Sequence, residues 1–116
     1  EVVDQLRRGA FASFSAFKMR LLMAMPPSAD GSIRLGDAWK RWAEGAVDPA
    51  ALAAARGWPA AAVATIDAYR DSDARYVFLS LAETREVLAP HFAEVRAVTK
   101  RYELGALCPT LVLKPR

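Results

Sequence analysis

Apolar side chains recur at three- and four-residue intervals near the start of the chain. Phe11, Phe14, Leu21, Leu22 and Met25, with Phe17 beside them, gather on one broad face. That is a helical period, so residues 2 to 25 are predicted as one or two helices, with Gly9 as the break. Core packing is the first reading of this aromatic and methionine stripe, and a hydrophobic ligand wall is the second. Pro26 and Pro27 end the helix, and the stretch through Gly36 is expected to be a loop with turn chemistry at Asp30-Gly31.

Asp37 then serves as the expected N-cap of a short helix through Glu44, with Trp39 and Trp42 on one side and Gly45 closing it. Asp48-Pro49 supplies a cap residue and a first-turn proline for a helix to Arg56, and Gly57 suits a left-handed C-terminal position. Pro59 starts a helix carrying Val63, Ile66 and Tyr69 toward Arg70. Residues 71 to 75 form a charged break, and Tyr76-Val-Phe-Leu79 leads onward. Ser80 and Glu83 stand in capping-box spacing for the next helix, which stops at Pro90. Residues 94 to 102 and 110 to 113 are rich in Val, Leu, Thr and Tyr, and Gly105 and Pro109 between them punctuate a hairpin.

The expected architecture is α+β: about four helices, then a helix and an antiparallel hairpin. A lone two-stranded hairpin is marginal in water, so it wants a sheet to join. Leu111-Val112-Leu113 carries no charge before Lys114, although open edge strands usually carry protective charge. The last strand therefore reads as an interior one.

Composition narrows the function classes. The 116 residues fit one small domain or a piece of a larger protein, and a net charge of +3 comes from scattered pairs such as Arg7-Arg8 and Lys100-Arg101. No basic stripe of the kind a nucleic acid needs is present. The single cysteine, Cys108, excludes an intrachain disulfide framework and points to a reducing, cytoplasmic setting. Lys18 and Arg20 interrupt the most apolar run, which argues against a membrane span or a signal peptide. The chain opens on Glu1 rather than methionine, so something upstream is expected to have been removed or left out.

A family pattern emerges in the last third. Tyr76-Val-Phe-Leu-Ser80 through Glu83, Val87-Leu-Ala-Pro-His-Phe92, Glu94-Val-Arg-Ala-Val98, Tyr102-Glu-Leu104 and Cys108-Pro-Thr-Leu-Val-Leu113 resemble the C-terminal end of class I S-adenosylmethionine-dependent methyltransferases. The resemblance implies a Rossmann-like α/β parent, with residues 80 to 116 as the closing helix and hairpin of its sheet. Residues 1 to 79 would be a helical cap over a small-molecule acceptor. The implied cofactor is S-adenosylmethionine for the parent. None of the six glycines forms a G-x-G-x-x-G pattern, so no cofactor-binding residue is expected in this segment, nor activity from it alone. The implied partner is the missing N-terminal half or a second copy that completes the sheet.

By the same analogy, the charged turn and its flanks are the substrate-binding candidates: Tyr69, Arg70, Arg75 and Tyr76 offer two phenols and two guanidinium groups to an acidic or aromatic acceptor. The structural alternative pairs Arg70 and Arg75 with Asp67, Asp71 or Asp73 on a solvated surface. His91 has no evident orienting partner and reads as a surface or capping residue. Tyr102, Glu103 and Cys108 flank the hairpin loop. No nucleophile-base pair or metal-ligand cluster is legible, so catalytic residues are unassigned and no metal is expected.

Two other classes compete. Residues 48 to 70 have helix-turn-helix spacing, with Ala53, Gly57 and Val63 at the small, turn and apolar positions and Leu52, Trp58 and Ile66 in support. The would-be recognition helix offers Ala60, Ala61, Ala62 and Ala64, which have nothing to donate to or accept from a base edge. A helical dimerisation module, its open strands paired with those of a copy, is the other class.

Overall fold

The first apolar run folds as two helices, α1 (Val2–Arg7) and α2 (Phe14–Met23), in a computed structural model that describes residues 1–45, 47–100 and 104–116. Gly9 separates them at φ 83°, in the left-handed region that favours glycine. Ser13 caps α2 by accepting the Ala16 N–H at 3.1 Å. The Arg56 guanidinium donates to the Leu6 and Arg7 carbonyls at 2.6 and 3.2 Å, satisfying acceptors at the end of α1. Phe11, Phe14, Phe17, Leu21 and Leu22 are all buried, so the stripe is core. Phe17 is fully enclosed, its ring centroid 5.7 Å from Phe11, 5.3 Å from Phe14 and 5.6 Å from Trp42.

The stretch from Pro26 to Gly36 is not loop throughout. Ile33–Arg34 forms a short strand, β1, paired antiparallel with β2 (Arg75–Tyr76), which falls on the predicted charged break and lead-in. Two residues per strand are too few for an alternating pattern to be visible in sequence. Helix α3 (Leu35–Glu44) follows directly, so its N-cap is Arg34 and not Asp37. Asp37 instead sits in the first turn, where a carboxylate favours the helix dipole, and pairs with Arg34 at 3.0 Å. The Leu35 N–H reaches Ala74 O at 3.0 Å, tying the start of α3 to the residues before β2.

Helix α4 (Pro49–Arg56) has the predicted ends. Asp48 accepts the Ala50 and Ala51 N–H groups at 2.9 and 3.3 Å, and Gly57 closes the helix at φ 64°. Pro59 precedes α5 (Ala60–Ala64), which is shorter than predicted because it tightens into a 3-10 helix over Thr65–Tyr69.

The chain divides into two compact units, Glu1–Val77 and Phe78–Arg116. In the second, α6 (Leu81–Leu88) begins at a complete capping box: Ser80 Oγ accepts the Glu83 N–H at 3.2 Å and Glu83 Oε2 accepts the Ser80 N–H at 2.7 Å. Strand β3 (Phe92–Val98) pairs antiparallel with β4 (Thr110–Pro115), from Val98↔Thr110 to Phe92↔Pro115. The register shifts between Phe92 and Glu94, and Glu94 then stands opposite Lys114, a favourable cross-strand charge pair. Strand β3 starts and ends earlier than predicted. Tyr102 and Glu103 lie outside the described residues. The mixture of helices and small antiparallel sheets makes the fold α+β. Among the described residues no helix is long and apolar enough to cross a membrane.

Candidate functional site

The four nominated side chains do not converge on one point. Tyr69 ends the 3-10 helix, half-buried, and Tyr76 is close enough to act on it electrostatically. Burial, and after it the Tyr76 phenol, push the Tyr69 hydroxyl above its ordinary value, so it is a neutral donor at physiological pH. Arg70 turns elsewhere. Its guanidinium lies 4.7 Å from the Trp39 ring centroid and 4.0 Å from Asp67, and Asp67 also accepts the Trp39 indole N–H at 3.3 Å.

Arg75 reaches into the turn at residues 28 to 32. Its Nη1 donates to Ser32 Oγ at 2.9 Å and to Ser28 Oγ at 3.3 Å, and the Ser32 hydroxyl passes on to Asp30 at 2.6 Å. The Ser32 hydroxyl first, and its backbone N–H second, hold the Asp30 carboxyl below its ordinary value. The expected pairing of arginines with nearby aspartates therefore holds for Arg70, whereas Arg75 takes serines and Arg34 takes Asp73 at 3.3 Å. These contacts fasten β2 and the 3-10 helix to the rest of the first unit.

Near Tyr69 lies Lys18, which the sequence marks only as an interruption of the apolar run. Lys18 Nζ donates to Thr65 Oγ1 at 2.7 Å, and that hydroxyl donates to Ala62 O at 2.7 Å. The ammonium stands 5.7 Å from the Tyr69 ring centroid. Burial pulls the Lys18 pKa below its ordinary value. The signal was present in the helical period: at about 100° per residue, Lys18 falls between Phe14 and Leu22 on the apolar face of α2. A cation placed there is half-buried by construction.

Elsewhere, a groove of about 650 Å³ is lined by Val2, Val3, Leu21 and Met25 together with Asp37, Lys40 and Arg41. Its charges are of both signs, which selects no ligand chemistry. His91 is exposed and its backbone N–H donates to Leu88 O at 3.0 Å. Cys108 is half-buried. No group of three or more metal-ligating side chains comes together among the described residues.

Among the described residues, the strand-to-helix junction of the first unit is not the open glycine turn that a nucleotide cofactor rests on. A nucleotide cradle needs an open glycine turn between a strand and a helix. The strand-to-helix junction of the first unit is β1 to α3, where a Cβ on Gly36 would lie 3.4 Å from both the Arg70 and Ser72 carbonyl oxygens. Those oxygens stand at van der Waals contact with the position and, as acceptors, would repel a ligand's own acceptors. The turn between α4 and α5 has helix-turn-helix order, but α5 has only five residues, and its Ala60, Ala61, Ala62 and Ala64 expose methyl groups. Comparison of the chain with family models, with curated proteins and with solved structures finds no match.

Proposed function

We propose that the chain is the substrate-cap and sheet-closing part of an S-adenosylmethionine-dependent methyltransferase acting on a small molecule, with the cofactor held outside these residues. The observation that carries this reading is the second unit. A capped helix runs into an antiparallel hairpin, in the order the resemblance calls for. No residue of α6 is buried, and Val87, Leu107, Val112 and Leu113 remain exposed. A helix and hairpin with so much uncovered apolar surface fit a larger sheet better than they fit water.

In this reading the first unit shapes the acceptor pocket. Methyl transfer depends mainly on holding the acceptor in line with the donor carbon, so the cap's part is orientation and exclusion of water. Tyr69 and Tyr76 are the contacts to the acceptor, while Arg70 and Arg75 hold the elements that present them.

The test is a pair of titrations. S-adenosylmethionine is titrated calorimetrically into this chain and into a polypeptide that also carries the preceding coding sequence. The longer polypeptide should bind and transfer a labelled methyl group to a small acceptor, and this chain alone should do neither. No binding by the longer polypeptide sinks the reading. So does a monodisperse dimer of this chain in light scattering, because a second copy would then be what covers the hairpin.

A further inference from the structure

We propose that Lys18, held in place by Thr65 and flanked by Tyr69, binds the carboxylate of a small aromatic acid. The site deepens the cap reading by naming the acceptor class, and rests on that reading only for what happens to the acid once bound.

The hydrogen bonds fix the polarity of the site. Thr65 commits its proton to Ala62 O at 2.7 Å, so its oxygen faces Lys18 as an acceptor and the 2.7 Å contact uses one of three ammonium protons. The remaining protons meet no carboxylate: among the described residues no acidic side chain pairs with Lys18. Lys18 is half-buried but its contact with Thr65 is open to solvent, so a bound anion replaces water at the ammonium and gains a charge-assisted contact there. The Tyr69 ring, 5.7 Å away, adds attraction for the cation and a flat face for an aromatic ring.

The count of charges selects the anion. Among the described residues around Tyr69, Arg70 is held by Trp39 and Asp67 and Arg75 by Ser28 and Ser32, which leaves Lys18 as the cation beside the ring. A phosphate would call for a guanidinium fork or several backbone donors. One ammonium, oriented by the Thr65 oxygen and flanked by a phenol ring, suits a singly charged carboxylate on an aromatic body.

The experiment is a nuclear magnetic resonance titration of this chain, at constant ionic strength and without cofactor, using benzoate and the neutral benzamide as probes. Benzoate should move the amides of Lys18 and of Thr65 to Tyr69 with saturation, and benzamide should bind at least about tenfold more weakly, the difference of one charge-assisted contact. Lys18→Met should abolish the preference for benzoate, with Lys18→Gln as a second variant and circular dichroism as the folding check. Thr65→Val should weaken benzoate less than either. Equal responses to the two probes, an equal response to chloride, or full benzoate binding by both Lys18 variants would each overturn the site. That failure leaves the cofactor titration of the longer polypeptide untouched, so the two ideas fall separately.

Discussion

The two units hold their shape by different means. Every buried apolar side chain among the described residues lies between Val2 and Ile66, in the first unit. The second unit is rich in Val, Leu and Phe yet buries none of them, and its order rests on a capping box, a strand ladder and the Arg116 Nε contact with Ala89 O at 2.9 Å. Hydrogen bonds define geometry, but their net contribution is small because water competes for the same groups. Burial supplies most of the stability of a fold. The first unit therefore carries its own driving force, and the second is held chiefly by local hydrogen bonds.

The sharpest way to break the comparison is to remove one large side chain from each unit. Phe17→Ala deletes a fully buried ring that touches Phe11, Phe14 and Trp42. It should destabilise the first unit by about 3–5 kcal/mol in denaturant unfolding, enough to unfold a small domain. Val87→Ala removes an exposed side chain that is 62% accessible and should change stability by less than about 0.5 kcal/mol. Equal effects would erase the distinction. In a polypeptide that completes the sheet, Leu113→Ala should become costly where it is neutral in this chain, by about 2 kcal/mol or more if the side chain is then enclosed.

Caps come next in size and should separate the units by where the loss is felt. Asp48→Ala frees the Ala50 and Ala51 amides of α4, a helix anchored by buried Leu52 and Ala53. It should lower the stability of the first unit by about 1 kcal/mol, read from its unfolding midpoint. Ser80→Ala removes the same kind of contact from α6, which has no buried residue. Its effect should appear as fraying of residues 81 to 84 in carbon chemical shifts rather than as a shift of that midpoint.

What could be read from sequence follows the same division of forces. Local chemistry was legible: the left-handed glycine after α4, the Asp48-Pro49 start and the Ser80-Glu83 box each depend on neighbours within four residues. The aromatic stripe of α2 was legible because its period is strong. The β1-β2 pair was missed because its two strands lie far apart in sequence and are too short to have a period. Asp37 was misplaced as a cap because Arg34, a residue with no capping preference, starts the helix through its extended backbone. The site was only half legible. Tyr69 and Tyr76 were nominated together with two arginines that face other partners, while Lys18 was noticed as an interruption of an apolar run and not as a cation on its buried side.

The smallest effect is the most selective, because it titrates the second unit through one carboxyl. The Ser80 contacts, side chain first and backbone second, hold Glu83 below its ordinary value of 4.5. A carboxyl depressed by folding contributes stability above its unfolded value and loses it as pH falls through the lower folded value. Acidification below about pH 4.5 should therefore fray the first turn of α6. In the first unit Asp37 is also held low, chiefly by its hydrogen bond from Arg34, but α3 keeps Leu35, Ala38 and Trp42 buried and should persist through the same range. Glu83→Gln retains a side chain that can accept the Ser80 N–H and has no proton to gain. Carbon chemical shifts of residues 81 to 84 should then lose their pH dependence in the variant while those of α3 stay unchanged. Persistence of the acid transition in Glu83→Gln would assign it to another group and remove the capping box as its cause.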